Sequence, residues 1–284
     1  MRRMSESLRA RIEQYYATVP LLFADAEEFG PLRLFVRKGP GAPYYGGPSH
    51  AQPTAEGGAA VTAADIAQVR ARQRELGVPE AFEWLAEQAP TLRARIEAAG
   101  LPVAERPLMA LDPDHPVGPQ PLPGGVTLRV VTADDPALPA VLALPRLAFA
   151  EEGTTVGLAG RKELSVVAEE LTEDGTVQTI RPTLRCGHKT LIAALAADGT
   201  PLAAGHYHPA DGTTEIGGVG TLPTARREGL AAAVTAALVT HARDNGVGTV
   251  FLAYAEDTVA RIYSRLGFRP AGSTLLIANQ PARS

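Results

Sequence analysis

Residues Glu215–Ala231, EIGGVGTLPTARREGLA, read as a strand, a short turn and then a helix. At the turn, Arg226, Gly229 and Ala231 are spaced R-x-x-G-x-A. A helix start leaves about four N–H groups without partners and carries partial positive charge, which suits a diphosphate. Gly229 and Ala231 would let phosphate oxygens approach the backbone, and Arg226 and Arg227 are available for charge-assisted bonds. The plainer alternative is a helix start with a solvated arginine pair. Spacing alone does not decide. A second match, Arg243-x-x-Gly246-x-Gly248, falls where a helix ends and a strand begins, so it has no open helix N-terminus. Three further residues could carry chemistry. His206 and His208 are two apart on a strand and so share a face; two histidines with no third ligand suggested are too few for a metal site, and a place in a substrate pocket is the functional alternative. Cys186, the only cysteine, lacks an evident activating partner and reads as a packed strand residue.

These residues need a scaffold, and the chain divides at Asp112–Gly125, DPDHPVGPQPLPGG, where proline and glycine preclude a persistent helix or central strand. The expected parts are residues 1–111, a linker at 112–125, and residues 126–284. After the linker, Val126–Val131 alternates as a strand, and helices are expected at about Pro136–Ala150 and Val156–Leu171. Four strand-like runs follow, Thr176–Cys186, Thr190–Ala197, Pro201–His208 and Thr213–Thr221, with Ala197-Asp198-Gly199-Thr200 as a hairpin turn. A helix over Arg227–Asn245 stops at Asn245-Gly246. Then come a buried-type strand Thr249–Tyr254, a helix near Asp257–Leu266 and a strand Phe268–Ile277. The first half shows a helix Ala63–Leu76 capped by Thr62 with Asp65 three residues on, a strand Ala81–Ala86, a helix near Thr91–Ala99 and a strand Pro107–Leu111. GVPEAFEWLAE (Gly77–Glu87) aligns with GVGTVFLAYAE (Gly246–Glu256) at Gly, Val, Phe, Ala and Glu without a gap. The matching element order makes a duplicated half-fold the better explanation.

Together, Arg226-x-x-Gly229-x-Ala231 and Tyr263-Ser-Arg-Leu-Gly267-Phe268, with a strand between them, resemble the paired motifs of the GNAT (GCN5-related N-acetyltransferase) superfamily over about Val126–Ile277. The resemblance implies an α/β (α+β) fold with a mixed, mostly antiparallel sheet flanked by helices. It also implies acetyl-CoA inserted where the strand before the loop splays from the next. Carried over, cofactor contacts fall on Val219, Gly220 and Thr221, and on Arg226, Arg227, Glu228, Gly229, Leu230, Ala231 and Ala232. An N–H near Val219–Gly220 would stabilise an oxyanion. Tyr263 takes the position of the family's usual general acid; otherwise it is a core aromatic. Glu215 lies four residues before Val219, the offset of the catalytic glutamate in histone-acetylating relatives, though many relatives use water. One departure is Glu256-Asp257, where relatives often carry Asn. The first half has PTAEGGAAVT in place of an arginine loop and Ile96 in place of Tyr263, and Trp84 and Phe82 read as core or interface residues. It resembles a degenerate GNAT-like domain, in a tandem arrangement similar to that of the mycothiol synthases.

Composition excludes other classes. The chain has 284 residues, 45% hydrophobic and 20% charged, so disorder throughout is not expected. Its 24 arginines and only 3 lysines fall within a net charge of −4, which lacks the footprint of a nucleic-acid binder. Leu230–Val239 is too short to span a membrane, and no apolar run follows the basic opening residues as a secretory signal requires. A soluble cytoplasmic protein is expected, with no metal. No G-x-G-x-x-G opens a helix after a strand, which removes a dinucleotide-binding Rossmann domain. The expected activity is N-acetyl transfer to a small-molecule, peptide or protein amine by direct attack in a ternary complex. The alternative is a non-catalytic acyl-CoA-binding regulatory or scaffold protein. A homodimer is compatible with either.

Overall fold

The computed structural model describes residues 5–39, 49–54, 61–151 and 153–278. They fall into two compact units, Met1–Leu108 with Pro270–Ser284, and Met109–Arg269.

The first unit runs α1 (Glu6–Thr18), β1 (Ala24–Phe29), β2 (Leu32–Arg37), β3 (Ala51–Pro53), α2 (Ala63–Glu75), β4 (Ala81–Leu85), α3 (Leu92–Ala98) and β5 (Ala104–Leu111). The cap expected at Thr62 is formed: its Oγ1 accepts from the Asp65 N–H at 3.3 Å, and Asp65 accepts the Thr62 N–H at 2.7 Å. Strands β1 to β3 are antiparallel neighbours, and β3 runs parallel to β4 across α2.

The second unit contains β6 (Thr127–Val131), α4 (Leu138–Ala150), α5 (Arg161–Glu173), α6 (Thr176–Arg185), β7 (Thr190–Leu195), β8 (Pro201–Ala210), β9 (Thr213–Thr221), α7 (Leu230–Asp244), β10 (Thr249–Ala253) and α8 (Asp257–Arg265). β6 to β9 form an antiparallel meander, and β10 joins β9 in parallel. The mixed, mostly antiparallel sheet flanked by helices is present as expected.

Three expectations need correction. Thr176–Cys186 is a helix, not a strand: its β-branched content suggests a strand, but Val177 and Ile180 are buried at helical spacing, with Leu184 partly so. Cys186 caps this helix and is exposed rather than packed in a strand. The helix expected from Val156 begins at Arg161, where Glu163 accepts the Gly160 N–H at 2.8 Å; before it, Leu158 and Ala159 donate to the Glu151 carboxylate instead of continuing a helix.

The closing strand β11 (Phe268–Ala278) stands where the sequence places it, but its partner lies in the first unit. It pairs antiparallel with β4, from Thr274 opposite Leu85 to Ala278 opposite Ala81. Leu275 and Ile277 join Leu34, Ile66, Val69, Phe82 and Trp84 in the core of the first unit. Conversely, Met109–Leu111 at the end of β5 belong to the second unit, where β5 neighbours β10. The compact units therefore divide at Leu108/Met109 and Arg269/Pro270, not at 111 and 126 as the sequence suggests. Alternation shows that a strand exists, whereas its partner depends on residues far away in sequence.

The Pro/Gly-rich segment belongs to the second unit. The Arg243 guanidinium donates to the carbonyls of Asp112, Pro113 and His115 at 2.7–3.0 Å. At Gly267 a Cβ would collide with the His115 ring. The glycine of the Tyr263–Phe268 motif therefore gives the start of the linker room to pack.

Candidate functional site

The site begins where two parallel strands part. β9 and β10 pair only at Thr213–Thr249, Thr214–Val250 and Glu215–Phe251. β9 nevertheless continues to Thr221, held on its other edge by β8. Within that stretch the register slips: Ala204 faces Gly220, but His206 faces Gly217. The extra residue lies in β9, where Gly218 adopts φ +60°. A bulge with a left-handed glycine bends its strand and sharpens the twist, which carries Gly217–Thr221 away from β10. Val219, Gly220 and Thr221 therefore line a split that opens immediately beyond Glu215. Gly220 has a packing role as well: a Cβ there would come within 2.8 Å of Ala148 and 3.2 Å of Leu144 on α4.

From the split the chain passes through a short 3₁₀ turn at Pro223–Ala225 into the loop before α7. Arg227 has φ +72° and Gly229 φ +81°, so the helix starts at Leu230 rather than at Arg227 as the sequence suggests. The first bond into α7 from its cap runs from the Ala233 N–H to the Gly229 carbonyl. The N–H groups of Leu230, Ala231 and Ala232 thus precede any helical acceptor. Nothing lies within 4 Å of a Cβ built on Gly229, so the space outside the loop is open. Arg227 and Glu228 are exposed. A non-glycine residue in the left-handed region is strained, and such strain gathers at functional sites.

The expectation for the Arg226 side chain is corrected. Its guanidinium is buried and donates to the carbonyls of Ala148 at 2.8 Å, Glu151 at 2.9 Å and Thr155 at 3.1 Å. It caps the C-terminal end of α4, where a cation is favourable, and is not free for a phosphate. Only its backbone remains for a ligand contact. Glu256, the departure noted above, accepts from the Gly153 N–H and the Thr258 hydroxyl, a local role at the start of α8.

Tyr263, near the end of α8, is buried with its ring edge-to-face against Phe268 at 6.1 Å. Burial pushes its phenol up to about 12, so it stays protonated throughout the neutral range. Glu215 is buried on β9, between His208 of β8 and Phe251 of β10 in the ladder. Strand β9 thus joins Glu215 with Val219–Thr221, while Tyr263 arrives on α8, which follows β10 on the far side of the split.

The sequence reading passed over Lys189. It stands one residue before β7, alongside His208, and is 6% exposed. His206 and His208 do share a face, with ring centroids 5.3 Å apart. His208 Nδ1 lies 2.8 Å from the His188 carbonyl, and the partly exposed His206 ring lies over Gly217 and Gly218, where added Cβ atoms would meet it at 3.3 and 2.6 Å. Burial and the Lys189 charge hold both imidazoles well below their ordinary pKa, and burial lowers Lys189 to about 8. The only signal in the sequence was a lysine opening an apolar run in a chain with few lysines. Among the described residues no group of three or more His, Cys, Asp or Glu could hold a metal ion, and no helix is long and apolar enough to cross a membrane.

In the first unit, Ile96 lies in the core, as do Trp84 and Phe82. Residues 55–60, most of the segment standing in place of an arginine loop, lie outside the described residues.

Residues 195–277 match the family model described as FR47-like protein. A GCN5-related N-acetyltransferase from Kribbella flavida is 22% identical, with 98% of each chain covered and a TM-score of 0.70. A tandem GNAT protein from the clavulanic acid biosynthesis pathway is 18% identical over 88% of this chain and 79% of its own, with a TM-score of 0.54. A protein of unknown function from Staphylococcus epidermidis is 14% identical over 92% and 96%, with a TM-score of 0.55. No curated protein matches the sequence.

Proposed function

Starting from a chain with the tandem GNAT fold, whose second unit carries most of the FR47-like segment, we propose that this protein is an acetyl-CoA-dependent N-acetyltransferase. In this reading the second unit is catalytic and the first is a degenerate half without the loop or the phenol. The observation that carries it is the bulge-driven split between β9 and β10, leading straight into a loop with open space beside Gly229 and three N–H groups that precede any helical acceptor.

The residues fit the cosubstrate. The N–H groups of Leu230–Ala232 suit a diphosphate, with Arg227 beside them for charge, and the open edge of Val219–Thr221 offers backbone partners to a pantetheine amide. Acetyl-CoA supplies the acetyl group as a thioester, which an amine attacks directly. An N–H at Val219–Gly220 stabilises the negative charge developing on the carbonyl oxygen. Glu215 accepts the proton that the acceptor nitrogen must lose. The Tyr263 hydroxyl donates to the departing sulfur, and its burial keeps it protonated for that role.

A thiol-release assay with acetyl-CoA and a broad amine panel tests this reading. Release that depends on one class of amine supports it. Thermal stabilisation by CoA without release on any amine would replace it with a non-catalytic acyl-CoA-binding role.

A further inference from the structure

We propose that Lys189, His206 and His208 form a recognition site for a carboxylate carried by the acceptor amine, set back from the split on the His206 face of the sheet. This rests on the acetyltransferase reading for the word acceptor, but not for the site itself. Lys189 is more than nine-tenths buried and makes no hydrogen bond or ion pair among the described residues. No carboxylate forms an ion pair with it among the described residues, and burial lowers its pKa to about 8, at which it remains mostly cationic at neutral pH. Glu215, the acidic residue on the same ladder row, is one strand beyond His208. A buried cation faced by two neutral imidazoles lacks its counter-ion. One cation calls for a monoanion, and a carboxylate matches it better than a phosphate dianion.

The geometry ties the site to the split. His206 is the least buried member of the group, and its ring lies on Gly217–Gly218, directly before Val219. Lys189 is two strands and about four residues from Val219, roughly 16 Å by standard strand spacings. At that separation the acceptor carries its amine and its carboxylate at opposite ends of a chain, as an ω-amino acid does. An α-amino acid is too short.

The test uses the whole chain with histidine isotopically labelled, the His206 and His208 signals being assigned through His206→Gln and His208→Gln. The probe is 6-acetamidohexanoate, which has the carboxylate but no reactive amine. Both histidine signals should shift saturably, hexanamide should move neither, and Lys189→Met should weaken binding at least tenfold, while Lys189→Arg, retaining the charge, should restore most of it. If neither signal moves in the wild type, or inorganic phosphate shifts them and the carboxylate does not, the proposal is overturned. Histidine shifts without thiol release on any amine would leave the site standing and remove the acetyltransferase reading. Release on amines without histidine shifts would do the reverse.

Discussion

Replacing Arg226 by lysine separates the role suggested by spacing from the one assigned by structure. The guanidinium satisfies three carbonyls around the end of α4 at 2.8–3.1 Å. Lysine keeps the charge but lacks the planar fork, and it can reach one of the three. Two carbonyls in a mostly buried place then lose their donor, at about 1–3 kcal/mol each with partial relief by water. A net destabilisation of about 3 kcal/mol follows, which lowers the melting temperature of a unit of this size by about 9 °C. CoA affinity, measured calorimetrically well below the transition, should change less than threefold, because the loop N–H groups remain. Scanning calorimetry and the CoA titration on one preparation give both numbers. A loss of less than 1 kcal/mol in stability together with tenfold weaker CoA binding would refute the capping role and return the guanidinium to the phosphate.

Lys189→Met should stabilise the protein by about 3 kcal/mol at pH 7, since the folded pKa of about 8 lies below the ordinary 10.5. The unfolded chain binds the extra proton between those values, so wild-type stability should climb with pH across that window and the advantage of the variant should vanish near pH 10.5; a difference that does not change with pH would refute the unpaired cation. Gly218→Ala should cost about 1–3 kcal/mol in denaturant titrations, from φ +60° and a Cβ 2.6 Å from the His206 ring, and should lower turnover by straightening the bulge; unchanged turnover would detach the bulge from the site. Tyr263→Phe should reduce kcat at least tenfold with little change in acetyl-CoA binding. Because the phenol is raised to about 12, the wild-type rate should climb as the amine loses its proton and show no fall from Tyr263 below about pH 11; a descending limb near pH 9 would contradict this.

Local chemistry makes much of the chain legible from its residues alone. The Thr62 cap, the turn before Thr200, the strand Thr213–Thr221 and the loop at Arg226–Ala231 depend on a few neighbouring residues, and they stand where the sequence places them. The element order shared by the two halves is visible for the same reason, since both repeat glycines just after their helices. Four features needed the tertiary structure. Thr176–Arg185 is a helix because Val177 and Ile180 have a surface to pack on. Arg226 turned inward because the end of α4 presents carbonyls that lie 71 to 78 residues away in sequence. Lys189 became notable only once folding brought two histidines beside it and no carboxylate. The destination of β11 could not be read at all: a strand's alternation shows which face is apolar, while its partner is chosen by the edge that the rest of the fold leaves open. Sequence by itself determined most elements of the second half and the loop before α7, through backbone preferences acting over a few residues. Ladder partners, the split that exposes Val219–Thr221 and the uncompensated charge at Lys189 were decided by contacts between distant segments, which only the assembled core creates.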